Sequence, residues 1–69
     1  MILTEKEKLE LEGQLVAVKQ LRGRWCYGLI HFDDYGGVEV QNSQGHTTGM
    51  SIAEINKITI LDETDQVYQ

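Results

Sequence analysis

The stretch from Leu21 to Val40 constrains this chain most, because it sets a glycine inside a run of strand-forming residues. It reads Leu-Arg-Gly-Arg-Trp-Cys-Tyr-Gly-Leu-Ile-His-Phe-Asp-Asp-Tyr-Gly-Gly-Val-Glu-Val. Gly23 supplies a tight turn, and the β-prone segment after it is broken once, at Gly28. Asp33-Asp34-Tyr35-Gly36-Gly37 reverses the chain, which leaves as the alternating strand Val38-Glu39-Val40-Gln41. Within a strand, glycine marks a bend or a close approach of another backbone, since it alone lacks the Cβ that would collide. A hairpin with a kinked first arm is how a small sheet begins to curl.

The rest of the chain fits around that hairpin. Thr4-Glu5-Lys6-Glu7 has the spacing of a capping box, which predicts a short helix running to about Glu12 and ended by Gly13. Leu9 and Leu11 alternate more like a strand than a helix face, so an earlier start of the first strand stays open. Strands are predicted over 14–21, with Val16 and Val18 on one side, over 24–32, over 36–42 and over 46–50. Ser51 to Ile55 reads as one helical turn capped by Ser51, and a fifth strand follows from Asn56 or Lys57 to Leu61. Residues 62–69 have little to pack with and are expected to fray. Five short strands, tight turns and a helical turn before the last strand predict a mainly β domain, a small SH3-like barrel with a short N-terminal helix.

At 69 residues the chain is a single domain, with its core at about 13–61, close to the size below which cores need staples. Cys26 is the one cysteine, so no intramolecular disulfide forms, and with no apolar leader an intracellular, cytoplasmic location is expected. The longest apolar run, Leu15 to Val18, is far too short to span a membrane. Barrels this small leave edge strands with unpaired amides, which favours a homo-oligomer in which neighbours cover them. Six basic against eleven acidic residues, a net of −5, argue against broad wrapping of nucleic acid but leave room for a small local site. Lys19, Arg22 and Arg24 fall close together, whereas the acids gather toward the two ends, where they read as solvated termini.

Leu21, Gly23, Gly28, Leu29, Ile30, Phe32, Asp33, Tyr35, Val38 and Val40 occur in the order of the first motif of the Sm-like superfamily (Sm, LSm and bacterial Hfq proteins), which this chain resembles over about Thr4 to Leu61. The resemblance implies a five-stranded barrel that closes into rings by pairing the fourth strand of one subunit with the fifth of the next. It also implies single-stranded RNA as a partner. Tyr35 stands where the family places the side chain on which a base stacks, Asp33 would order its loop, and Gly37 occupies the position of the family's base-holding asparagine. Met50-Ser51-Ile52 replaces the second motif's Arg-Gly or Lys-His, and Ser51 cannot sandwich a base. Arg22, Arg24 or Lys57 would contact phosphate.

A second expectation comes from the charge and from those departures: the barrel serves as a protein-interaction or assembly module with no nucleic-acid role. Asp33 to Val40 also looks like the C-terminal SH3-like barrel of biotin protein ligases, an accessory domain. Trp25 and Tyr27 share one strand face, as a stacking platform or as a subunit contact. His31, His46 and Cys26 lack zinc-site spacing, and Asp33 and Asp34, being adjacent, point to opposite sides rather than into one site. Cys26 reads as a small buried residue. No phosphate-cradling glycine motif, activated serine or metalloprotease pattern is present, so neither an enzyme nor a cofactor is expected.

Overall fold

The structure, a computed structural model, describes residues 1–61 and the backbone of Val67–Tyr68. Helix α1 spans Glu5–Leu11, and strands follow as β1 (Leu15–Gln20), β2 (Trp25–Phe32), β3 (Gly37–Gln41), β4 (Thr47–Ser51), β5 (Ile55–Ile60) and β6 (Val67–Tyr68). A 3₁₀ turn, Ile52–Glu54, joins β4 to β5. All the strands lie in one antiparallel sheet of order β4-β3-β2-β1-β5-β6. No ladder among the described residues joins its two edges, so the sheet is open rather than closed into a barrel.

It is nevertheless strongly coiled. Only three residues connect β4 at one edge to β5, four places away in the sheet order. Four strand spacings in a flat sheet measure about 19 Å, which a 3₁₀ turn rising about 2 Å per residue does not cross. The turn is held on both sides, by Ile52 N–H donating to the Gly36 carbonyl at 3.1 Å and Leu21 N–H to that of Glu54 at 2.8 Å. Inside the coil, Val16 and Val18 meet Ile30, Val38, Val40, Met50, Ile55, Ile58 and Ile60. These follow period-two alternation along each strand except at Ile55, which is out of step with Ile58 and Ile60 because the β1–β5 register shifts between Lys19 and Gln20. Ile55 opens β5 instead of ending the helical turn because its side chain is fully buried in that core.

Gly28 sets the coil. Its φ of +152° is one that side-chain-bearing residues rarely adopt. A Cβ there would run into the Gln41 carbonyl oxygen, and Asn42 N would lie only 3.1 Å away. The close approach expected of a strand glycine is therefore made by the end of β3, where β3 leaves β2.

Helix α1 begins as a capping box: Glu7 N–H donates to Thr4 Oγ1 at 3.1 Å, and Thr4 N–H to Glu7 Oε1 at 2.9 Å. Of its residues only Leu11 is buried, so apolar packing alone holds it weakly. A polar tether compensates. Gly13 N–H donates to the Ile30 carbonyl at 2.7 Å, and one residue earlier the Glu12 carboxylate accepts Phe32 N–H at 2.8 Å and faces His31 Nδ1 at 2.5 Å. A side chain thus extends the β1–β2 ladder past the end of β1. Burial raises the Glu12 pKa, but the Phe32 amide and then His31 outweigh it and hold the carboxyl below its ordinary value.

The tail departs from expectation in part. Val67–Tyr68 does not fray but pairs with β5, Ile58 opposite Tyr68 and Thr59 opposite Val67, because β5 otherwise presents a bare edge. Residues 62–66 and 69, also expected to fray, lie outside the described residues. No helix among the described residues is long and apolar enough to cross a membrane.

Gly28→Ala should cost about 2–4 kcal/mol from backbone strain and overpacking together. A core this size supplies only about 3–5 kcal/mol, so thermal unfolding should show the variant largely unfolded. Glu12 has a depressed folded-state pKa, so its stabilisation is present above the unfolded-state value and lost as pH falls through the folded one. Glu12→Gln should therefore lower the melting temperature at neutral pH, with the two proteins converging in acid below the ordinary carboxylate range. A constant difference across that range would contradict the tether.

Candidate functional site

β2 joins two chemically opposite places. At its C-terminal end the Asp33 carboxylate organises the reversal: Oδ1 accepts the amides of Tyr35 and Gly37, each at 2.7 Å. Asp33 N–H in turn donates to the Gly37 carbonyl at 3.1 Å. The Gly37 and Tyr35 amides, with the nearby Lys8 charge, hold the Asp33 carboxyl below its ordinary value against a smaller opposing effect of burial. Gly37 leaves room for this carboxylate, since a Cβ on it would displace the Asp33 side chain from its hydrogen bonds. The loop holds Tyr35 out, 95 % exposed, with no described ring stacked on it. Its surroundings are acidic: Glu5, Glu12, Asp33 and Asp34 line one cleft with Lys8, Leu9 and Phe32.

The other end of β2 is basic. Arg22 and Arg24 stand in the β1–β2 turn, and Trp25 opens the strand opposite Lys19 of β1, itself opposite Lys57 of β5. Four of the six Lys and Arg side chains of the chain belong to this end. On the outer face the rings of Trp25 and Tyr27 are stacked, centroids 6.1 Å apart and planes 13° from parallel. Both are open to solvent, Trp25 at 39 % and Tyr27 at 58 %. Lys19 Nζ and Lys57 Nζ lie 5.8 and 5.7 Å from the Trp25 ring centre, within cation–π range. Leu29 and Leu15, cross-strand partners on the same face, continue the apolar stripe.

The six residues singled out from sequence therefore divide. Asp33, Tyr35 and Gly37 sit together in the acidic loop, whereas Arg22, Arg24 and Lys57 gather around Trp25, with most of β2 between the groups. That separation is about 23 Å for an extended strand of this length, less the bend at Gly28. Sequence reading also left Lys19 unassigned. Lys19 and Trp25 lie three residues either side of Arg22, so a turn centred on Arg22 makes them a cross-strand pair, whereas one centred between Arg22 and Gly23 would have set Lys19 opposite Cys26.

The remaining candidates are tied into the fold. His31 is on Glu12, His46 N–H donates to Asn42 Oδ1 at 3.0 Å, and half-buried Cys26 accepts from Gln20 Nε2 at 3.7 Å. Among the described residues no three His, Cys, Asp or Glu side chains gather in a way that could hold a metal ion. Neither a protein-family model, nor a curated protein, nor a solved structure matches this chain, so the site is read from its own residues.

Proposed function

We propose that this protein is a non-catalytic module that binds single-stranded RNA on the outer face of β2, with Trp25 and Tyr27 as the base platform. The observation that carries the reading is the stacked, exposed pair of rings bordered by Lys19 and Lys57. Every base has a π-face, so stacking tolerates any sequence, while cations alongside take the backbone charge. Arg22 and Arg24 extend the basic border into the neighbouring turn. The net charge of −5 fits this reading, because its excess acid lies elsewhere and confines phosphate to one end. Tyr35 is exposed but directly follows Asp33 and Asp34, which line the acidic cleft, and that makes it a poor neighbour for a phosphate backbone.

The reading includes the small-barrel architecture of the Sm-like proteins and assembly of several copies. β4 ends the sheet with one side unpaired, and its Met50 packs into the same core as β5. Pairing the β4 edge of one copy with β5 of the next would close the coil between subunits and displace Val67–Tyr68 from Ile58 and Thr59. A second reading, a protein-binding surface without RNA, is favoured by the exposure of Leu15 and Leu29 beside the aromatic pair.

Titration of a short oligo-uridine should show binding that weakens about 5- to 150-fold in Trp25→Ala or Tyr27→Ala, the equivalent of about 1–3 kcal/mol per stacked base. Tyr35→Ala should leave the affinity within about twofold. The reverse pattern would move the site to the loop, and no salt-dependent binding at all would favour the protein-surface reading. The mass of the assembly in solution should be a multiple of the chain mass of 7.9 kDa. A monomer at high concentration would remove the assembly part alone.

A further inference from the structure

We infer that Lys19 and Lys57 form a clamp for a single phosphate group, seated between their two ammonium groups at the edge of the Trp25 ring. The inference rests on the reading of Trp25 and Tyr27 as the RNA platform and says how the backbone is held there.

Lys19 and Lys57 face each other directly across the β1–β5 ladder. Like charges directly opposite in an antiparallel pair are destabilising. Neither lysine makes an ion pair with a described residue. The outward residues next to them on the three central strands, Ala17, Tyr27 and Thr59, carry no acid. Among the described residues only the Trp25 ring offsets the repulsion, and it attracts both ammoniums to one place. The register of β1 against β5 shifts between Lys19 and Gln20, next to the pair. A bulge re-aims the side chains beside it, and bulges recur next to binding sites for that reason.

The dimensions suit one anion rather than two. Directly opposite Cβ atoms in such a ladder are about 5 Å apart. Two ammoniums springing from that separation converge on one phosphate, each about 2.8 Å from an oxygen. Successive phosphates of a strand would instead need cations set further apart, a part that Arg22 and Arg24 in the adjacent turn can take. The anion turns a repulsive pair into an attractive trio, with the base of the same nucleotide beside the indole.

The test measures the dissociation constant of an eight-nucleotide oligo-uridine at several salt concentrations, using the full chain, Lys19→Met, Lys57→Met and the double variant. Methionine keeps a long aliphatic stem against Trp25 and removes the charge. On a single strand each neutralised phosphate contributes about 0.7 to the slope of log affinity against log salt. With one shared phosphate, either single variant weakens binding about fivefold but leaves the slope nearly unchanged, because the other lysine still neutralises it. The double variant then lowers the slope by about 0.7. Slopes that fall by about 0.7 in each single and about 1.4 in the double would mean two separate phosphates and overturn the clamp, with RNA binding intact. Unchanged affinity in both singles would overturn it as well. Lys19→Gln and Lys57→Gln must give the same slopes, and the melting temperatures of all variants guard against an effect on folding. An absence of binding by the unaltered chain would instead bring down the RNA reading, and the clamp with it.

Discussion

The fold depends on one contact that contains no side chain: the Gln41 carbonyl lying against the Cα of Gly28. β2 pairs with β1 from Trp25 to Leu29 and with β3 from Leu29 to Phe32, so its two partners meet it on successive halves. The strand must bend where β3 departs, and the bend brings two backbones closer than any Cβ permits. Every later element inherits that curvature. β4 follows β3 around, and a turn of three residues then suffices to reach β5 on the far side of the core. Hydrophobic burial supplies the stability, but it does so only because Val16, Ile30, Val40, Met50 and Ile58 are first brought onto a common concave face.

The same curvature decides what is left outside. A coiled sheet has room inside for branched aliphatic side chains, and Trp25 and Tyr27 stand on the convex face, where a core of this size does not reach. Large aromatics held open to water usually indicate contact with something else, since burying them is among the most favourable uses of a side chain. They are also held rigidly, on a strand paired with β1 rather than on a loop, so that a ligand meets a preformed surface. Tyr35 differs in this respect. The Asp33 hydrogen bonds fix the backbone of its loop, but its ring is 95 % exposed and stacks on no other described ring.

Much of this was legible in the residues themselves, and the reasons differ from element to element. The capping box of Thr4 and Glu7, the glycine bend and the alternation of Val38 to Gln41 are local rules, which sequence states directly. The β1 strand obeyed alternation only in part. Ala17 is buried on the outer side because Tyr27 and Thr59 flank it across both ladders, a fact that only pairing reveals. The docking of α1 was hidden for a related reason. Glu12 reads as one more surface acid until Phe32, twenty residues later, offers an unpaired amide at the right distance. Val67–Tyr68 was unreadable as a strand because two residues carry no period, and what ordered them was the free side of β5. The site followed the same division: the Asp33 loop is a local motif, whereas the gathering of Lys19, Lys57 and Trp25 is a product of register across three strands.

That product also reconciles an acidic chain with the anionic ligand proposed for it. At physiological salt, charges more than about 8 Å apart are largely screened, so the net −5 is a weak deterrent once a strand has reached the basic end. In the proposed complex close contacts would decide the outcome there, and the cations at that end are Lys19, Lys57, Arg22 and Arg24. Toward the other end of β2 the neighbours become Glu39, opposite His31, and then Asp33 and Asp34, so each further phosphate along that path meets a carboxylate instead of a cation. A strand bound as proposed would therefore leave the platform over the Arg22–Arg24 turn rather than run along β2. On that proposal the acidic excess would act as a boundary, keeping the contact short and admitting a polyanion from one side only.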